Sequence, residues 1–271
     1  MGIEYNTVKI SSEDCADLAR KLIVEISYQA RTAHVGSALS VTDILSVLFT
    51  NQYGKSEGVF DDIVLSKGHA ALSLYSILSI CGYIDRSDLN EYGNDGNIFS
   101  GHVSHLVSSL IPLSTGSLGH GLPFGLGLAM ANQRSLTDIK VYVVISDGEL
   151  NEGTTWESAL IASQLELNNL IVIIDRNGLQ SMGKTEEILK LNPILDKWQS
   201  FGWEVLEIDG HDHSDIKSSI LRQTDKPLCI VARTVKGKGV KLMENDNLWH
   251  YKPPTKEIFL EATSLSGSDP V

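Results

Sequence analysis

Two short apolar runs, each followed by polar residues, constrain the fold of this chain more than any other feature. Residues 141–145 (VYVVI) lead into Ser146-Asp147-Gly148, and residues 170–174 (LIVII) lead into Asp175-Arg176-Asn177. Continuous apolar runs of this kind are typical of strands buried on both faces of a parallel sheet. Residues 153–165 between them have the length of a helix, so we predict a strand–helix–strand unit. Both polar ends should then emerge together at the carboxyl edge of the sheet.

Asp147, Asn177 and the backbone carbonyl of Leu179 are the oxygen groups that this arrangement brings together. Carboxylate, amide and carbonyl oxygens are hard ligands that suit Mg²⁺, an ion that is often shared with the phosphates of a bound molecule. An isolated Asp-Gly pair is usually only a turn. Here a second polar strand end follows the first along the chain, which argues against a simple turn. The spacing therefore predicts a diphosphate group held through a metal ion.

The rest of the chain alternates strand-like and helical segments. Further strands are predicted at 62–65, 203–208 and 228–235, and further helices at 12–30, 42–49, 70–81 and 122–132. Strands separated by helices predict an α/β fold, a doubly wound parallel sheet with helices on both faces. Residues 85–115 are polar and irregular, and a loop this long within a compact domain is usually functional. We expect residues 1–271 to form a single domain, with a polar C-terminal tail from about residue 262.

Charge and composition exclude several classes of partner. The formal net charge of −12 argues against a nucleic-acid or anionic-membrane partner. No apolar run reaches membrane-spanning length, and the amino terminus lacks the features of a signal peptide. Cys15, Cys81 and Cys229 are far apart without C-x-x-C spacing, so we expect buried free thiols. These features predict a cytoplasmic protein with no nucleic-acid and no membrane partner.

Residues 146–153 (SDGELNEG) resemble the thiamine diphosphate motif, in which G-D-G is followed by Asn about thirty residues later. The similarity is closest to the amino-terminal half of transketolases, where the motif reads G-D-G-x-x-x-E-G, and Ser146 replaces the first glycine. Other matches to that family follow its order: AHVG at 33–36, LSKGH at 65–69, SGH at 100–102, TGSLGHG at 115–121, TVKGKG at 234–239 and WH at 249–250. His120 stands where the family usually has Gln, and the prolines that usually follow His34 and His102 are missing. The matches extend from residue 31 to residue 250 and are highly specific together.

The resemblance implies a thiamine diphosphate-binding fold of the diphosphate type and a role for individual residues. Asp147, the Asn177 side chain and the Leu179 carbonyl should hold Mg²⁺, or Ca²⁺ in its place. The residues implied to bind the cofactor are His69, Gly116, Ser117, Leu118, Gly148, Glu149, Asn177 and His250. The implied catalytic residues are His34, His69, His102 and His250. Imidazole suits proton transfer because it can donate or accept a proton near neutral pH.

The resemblance also implies a partner. In transketolases a glutamate on a second, pyrimidine-binding domain activates the cofactor, and this chain ends soon after Trp249-His250. We therefore expect a separate carboxy-terminal subunit, assembly into a heterotetramer of two heterodimers, and little activity from this chain alone. Glu152 should face the partner, although a carboxylate at a helix start is also favoured by the helix dipole alone.

The expected function is that of the amino-terminal subunit of a split transketolase-like enzyme that depends on thiamine diphosphate and magnesium. It would transfer a two-carbon ketol unit from a ketose or ketose phosphate to an aldose. Two alternatives stay open: a related ketol or acyl transfer on an unusual sugar, and a non-catalytic subunit that binds the cofactor. Neither the sugar nor its phosphorylation follows from the sequence.

Overall fold

The sheet of this protein consists of five parallel strands, as the computed structural model shows for the described residues, 8–51 and 60–264. The order across the sheet is β1-β2-β3-β5-β4, and every neighbouring pair is parallel. The strands are β1 (Asp62–Leu65), β2 (Val141–Ser146), β3 (Leu170–Arg176), β4 (Glu204–Asp209) and β5 (Leu228–Arg233). Ser146 lies beside Asp175 in the β2–β3 register, so the two polar strand ends emerge together as predicted.

Nine helices surround this sheet in the described part of the chain. They are α1 (Ser12–Ala30), α2 (Val35–Thr50), α3 (Ala71–Ile80), α4 (Gly121–Arg134), α5 (Gly153–Gln164), α6 (Thr185–Ile188), α7 (Ile194–Ser200), α8 (His213–Ile220) and α9 (Lys256–Ser264). The predicted start of α2 at residue 42 was wrong, because the helix begins seven residues earlier, at Val35. Every residue of α2 from Val35 to Phe49 is buried, so the helix has no polar face and no amphipathic period to reveal its start.

Alternate residues of the strands pack on the two faces of the sheet. On one face, residues such as Tyr142 and Ile173 pack with helices α1, α2, α3, α8 and α9. On the other face, residues such as Val143 and Val172 pack with α4, α5 and α7. The predicted doubly wound sheet with helices on both faces is therefore confirmed. Strands that are apolar on both faces explain the continuous apolar runs in the sequence.

The carboxyl-terminal part of the sequence-based outline differs in detail. Helix α9 continues to Ser264, two residues beyond the predicted start of the polar tail, and the rest of the tail lies outside the described residues. Helix α9 packs on α1, where the rings of Tyr28 and Phe259 stack at 4.8 Å. All three cysteines are free and buried, as predicted. Within the described residues, no helix is both long and apolar enough to cross a membrane.

The aromatic cluster under α5 and α7 offers a test of this packing. Trp198 is fully buried, and its ring centroid lies 5.4 Å from that of Trp156 and 4.9 Å from that of Trp203. Trp198→Ala should lower the free energy of unfolding by about 3–5 kcal/mol, because the cavity left behind cannot close fully. Urea unfolding measures this loss. The control Leu136→Ala, at a side chain that is 92% exposed, should change it by less than about 0.5 kcal/mol.

Candidate active site

A cavity of about 370 Å³ opens at the carboxyl edge of the sheet. Its walls come from the turns that follow β1, β2 and β3, from the start of α2, and from the irregular segments around residues 102, 116 and 250. The lining residues are His34, Ser37, Lys67, His69, His102, Gly116, Leu118, Ser146, Gly148, Asn151, Glu152, Asn177, Leu179, Gln180, Ser181 and His250. Crevices at this edge of an α/β sheet are the usual ligand sites of such folds.

The four histidines singled out in the sequence meet in this cavity. The ring centroid of His34 lies 5.6 Å from His69, 5.7 Å from His102 and 4.9 Å from His250. His34 precedes α2 in a left-handed conformation, with φ of 69°, and its N–H donates to the His250 carbonyl at 3.1 Å. Such a conformation costs a non-glycine residue about 1–2 kcal/mol, and strain of this kind is often found at functional sites. The structure brings the residues together, while their role in proton transfer stays a prediction.

Burial keeps three of these histidines, His34, His69 and His250, neutral near pH 7. It lowers the pKa of His34 to about 4, with His102 and Lys236 adding to the effect. It lowers the pKa of His250 to about 3, with Lys236 and His34 contributing. Burial and the nearby Lys67 ammonium hold the pKa of His69 well below its usual range. Near neutral pH each of these rings can therefore donate one proton and accept another.

Asp147 is placed as a metal ligand would be, directly after β2. Its Oδ2 accepts hydrogen bonds from the Gly178 N–H at 2.6 Å and from Thr185 Oγ1 at 3.0 Å. Its Oδ1 is buried and accepts no hydrogen bond from the described residues, and Arg176 Nη1 lies 3.4 Å away. Burial raises the pKa of the Asp147 carboxyl above its ordinary value, against the opposing effect of Arg176. A buried carboxylate oxygen without a donor fits a site for a cation.

Asn177 and Leu179, the other two predicted ligands, lie in the turn after β3. Asn177 Oδ1 accepts from the Leu179 N–H at 3.1 Å, which leaves a second lone pair on this oxygen. Asn177 Nδ2 lies 3.5 Å from both Asp175 Oδ2 and Ser40 Oγ. These contacts orient the amide with its nitrogen toward Asp175. Among the described residues no group of three or more His, Cys, Asp or Glu side chains could hold a metal, so a site here depends on amide and carbonyl oxygens.

A buried ion pair beneath the cavity was missed in the sequence. Lys67 and Asp175 have fully buried side chains, and Lys67 Nζ donates to Asp175 Oδ2 and, at 3.2 Å, to the Ser37 carbonyl. Asp175 also accepts from Ser40 Oγ at 2.6 Å and from Thr234 Oγ1. Burial pushes the pKa of Asp175 upward, but Lys67 and these hydroxyls outweigh it and hold that pKa below its ordinary value. Lysines are rarely buried, so the burial of Lys67 was not expected. The only signal for it in the sequence was its position directly before Gly68-His69.

Lys236 is a second missed cation. Its side chain is buried, and Nζ lies 3.2 Å from both Asn247 Oδ1 and His250 Nδ1. An ammonium only donates, so the neutral His250 ring accepts at Nδ1 and carries its proton on Nε2. Burial, with the Lys67 charge, lowers the pKa of Lys236 to about 8. The repeated Lys-Gly pattern at 236–239 was the available signal for a role of Lys236, but it was interpreted only as a match to the family.

Three further predicted residues lie at different depths. Glu152 is exposed and lines the cavity, and its contact with a partner stays a prediction. Ser117 is exposed and does not line the cavity, because it lies on the outer side of the 116–121 loop. Glu149 lies behind the lining and is fully buried, and burial raises its pKa to about 6. Gly116, Leu118 and Gly148 line the cavity, where contact with a cofactor remains a prediction.

Comparison with known proteins decides the family. The family model described as "Transketolase, thiamine diphosphate binding domain" matches residues 11–270. The chain belongs to the transketolase family. It is 40% identical over 268 residues to an apulose-4-phosphate transketolase subunit from Phocaeicola vulgatus, covering 96% of this chain and 94% of that protein. It is 34% identical over 264 residues to a 6-deoxy-6-sulfo-D-fructose transketolase subunit from Clostridium sp., covering 94% of this chain and 96% of that protein.

Solved transketolase structures share the fold. The transketolase from Campylobacter jejuni superimposes with a TM-score of 0.84 at 29% sequence identity. The match covers 95% of this chain and 42% of the other, so this chain corresponds to less than half of a transketolase of that length. The thiamine diphosphate-binding fold implied by the sequence motifs is thereby confirmed.

The neutral histidines make the stability of this transketolase domain depend on pH. His34 and His250 have folded-state pKa values of about 4 and about 3, below the unfolded value of about 6.5. Between these values the unfolded chain binds more protons, so the free energy of unfolding should fall as the pH drops from about 7 to about 5. Urea unfolding at a series of pH values measures this slope.

The variant His34→Asn should make the slope shallower, because Asn removes the titrating group and tolerates the left-handed turn. The matched control is His105→Asn, at an exposed histidine that does not line the cavity. A slope identical in wild type and His34→Asn would contradict the prediction.

Proposed function

We propose that this chain is the amino-terminal subunit of a split transketolase. Together with a separate carboxy-terminal subunit it transfers a two-carbon ketol unit from a ketose to an aldose. One observation carries the proposal: four histidines and Asn177 line one cavity, with Asp147 buried between the lining residues Ser146 and Gly148, in a chain that matches nearly the full length of relatives named transketolase subunits. A subunit that had lost catalytic activity would have no need to keep both the histidines and the Asp147–Asn177 pair.

The residues at this edge fit magnesium and the diphosphate of the cofactor. Asp147 Oδ1, which accepts no hydrogen bond from the described residues, the oriented Asn177 amide and the Leu179 carbonyl would hold Mg²⁺, or Ca²⁺ in its place. The Gly148 backbone lines the cavity and would help to neutralise phosphate charge. Thiamine diphosphate, when bound, supplies the electron sink that cleavage of the carbon–carbon bond of the ketose needs.

The histidines would bind the sugar and move its protons. His250 presents Nε2–H as a donor, since Lys236 occupies its Nδ1. His34 lies at the centre of the cluster and, being neutral, can accept a proton from a donor hydroxyl. His69 and His102 flank it and would hold neighbouring oxygens of the sugar. Holding these groups around one substrate lowers the entropic part of the barrier.

The partner subunit would complete the site from the side of Glu152. We place the cofactor between the two subunits and expect a heterotetramer of two heterodimers. The three free buried cysteines are consistent with a reducing cytoplasm.

A second candidate concerns the substrate. Two relatives are named for uncommon sugars, apulose-4-phosphate and 6-deoxy-6-sulfo-D-fructose. These names favour a ketol transfer from an uncommon ketose that carries an anionic group. Assay of the reconstituted complex with such ketoses, and with common ketose phosphates, shows which of the two classes of ketose is the donor.

The metal assignment predicts a loss of cofactor binding. Asp147→Ala should weaken magnesium-dependent thiamine diphosphate binding on the order of a hundredfold, because the carboxylate ligand is removed. Titration calorimetry of the complex with its partner, with Mg²⁺ and with a chelator, measures this. Asp209→Ala is a matched control, because Asp209 ends β4 and does not line the cavity. Unchanged affinity in Asp147→Ala would refute the ligand assignment.

The partner assignment predicts weaker association. Glu152→Ala should raise the dissociation constant of the two subunits about tenfold, because an exposed charge at the interface is lost. Analytical ultracentrifugation over a concentration series measures it. Asp138→Ala is the control, since Asp138 is exposed just before β2, at the opposite edge of the sheet. If Glu152→Ala and Asp138→Ala associate with the partner equally well, Glu152 does not contribute to the interface.

A further inference from the structure

Glu149 lies where three loops of the site meet. The turn after β1 carries Lys67 and His69, the 116–121 loop before α4 carries Leu118, and the turn after β2 carries Gly148. The Glu149 side chain has no exposed surface and does not line the cavity. It therefore cannot touch a substrate there, and its burial calls for another explanation.

The carboxylate of Glu149 joins all three loops. Its Oε1 accepts hydrogen bonds from Ser66 Oγ, in the first loop, and from the Gly119 N–H at 3.0 Å, in the second. Ser66 Oγ in turn accepts from the Gly121 N–H at 3.0 Å. The Glu149 carbonyl accepts from Thr155 Oγ1 at 2.9 Å, which fixes the third loop to α5. Hydrogen bonds to a charged group are stronger than those between neutral groups.

The 116–121 loop is held on both sides. Opposite Glu149, Thr154 Oγ1 donates to the Gly119 carbonyl at 2.7 Å. Gly119 has φ of +82°, and a Cβ there would lie 2.6 Å from Thr154 Oγ1. A Cβ at Gly121 would lie 2.2 Å from Ser66 Oγ. The loop is thus packed too closely against its neighbours for any residue but glycine at these two positions.

The other oxygen of Glu149 has no partner. Oε2 is buried and accepts no hydrogen bond from the described residues. Burying a carboxylate with half of its capacity unused is unfavourable for stability alone. The group is therefore better explained by the geometry it imposes than by the stability it adds.

We propose that Glu149 is a positioning residue that clasps the 116–121 loop to the turns after β1 and β2. The clasp holds Gly116 and Leu118 in the cavity wall, where the ring portion of the cofactor would rest. This last step depends on the proposed function. The clasp itself does not, because it concerns contacts within the chain.

Hydrogen exchange of the full chain tests the clasp without cofactor or partner. In Glu149→Ala, the peptide covering residues 116–121 should exchange at least about tenfold faster, because a charge-assisted hydrogen bond is lost. In Glu149→Gln, exchange should stay close to wild type, because Oε1 can still accept from Ser66 and Gly119. The control Asp62→Ala removes a carboxylate in β1 that accepts from Asn132, and it should leave this loop unchanged. Unchanged exchange of the loop in Glu149→Ala, or equal acceleration over the whole chain, would overturn the proposal.

Steady-state kinetics of the complex with its partner tests the consequence for the cofactor. Glu149→Ala should raise the KM for thiamine diphosphate about tenfold and leave kcat at saturating cofactor within about twofold, because the wall is loosened while the reacting groups are intact. A lower kcat with unchanged KM contradicts a positioning role. If wild type binds no cofactor, the proposed function fails, while hydrogen exchange still decides on the clasp.

A second variant covers the case in which Glu149→Ala does not fold. Thr154→Val removes the hydroxyl that binds the Gly119 carbonyl on the other side of the loop, with little change in shape. It should accelerate exchange of the loop and raise the KM for the cofactor by about threefold, as expected for one neutral hydrogen bond. No change in either quantity would show that the loop does not depend on these contacts.

Discussion

The buried carboxylate of Asp175 is the group on which the floor of the site depends. It lies near the end of β3 and takes hydrogen bonds from α2 through Ser40, from the end of β5 through Thr234, and from Lys67 after β1. Removing one partner of such a pair strands the other charge, at a cost of about 3–5 kcal/mol. The same carboxylate orients the Asn177 amide. Folding of the sheet edge and placement of a proposed metal ligand are thereby linked through one side chain.

Much of this fold could be predicted because strands buried on both faces leave continuous apolar runs. The runs at 141–145 and 170–174 identified β2 and β3, and their parallel register brought Ser146 beside Asp175. The first part of helix α2, residues 35–41, was not predicted, because it too is buried on all sides. Ser37 and Ser40, before the predicted start, look like a turn in the sequence, whereas the Ser40 hydroxyl is bonded within the core to Asp175.

The site was predictable where a residue type already implies a contact. The family resemblance implied that four histidines act at one site, and the structure gathers all four in one cavity. Lys67 and Lys236 were not assigned roles, because whether a lysine is buried depends on contacts between distant segments. Glu149 was expected to contact the cofactor from its position in the motif. Its depth could not be read from the sequence, since the loops that cover it come from three separate parts of the chain.

The charges around the cavity bear on the metal ion that we propose there. Lys67 is the one lysine among the described residues that lines the cavity, and it is already paired with Asp175, while the histidines with lowered pKa values are neutral. Asp147 lies at the same edge, and Arg176, with Nη1 3.4 Å from Oδ1, offsets its negative charge. One lysine cannot neutralise a diphosphate beside a carboxylate in a buried site, where charges interact strongly. A divalent cation on Asp147, as proposed, would reverse the sign of that corner, and the depressed pKa values would leave the histidines available for proton transfer rather than for charge compensation.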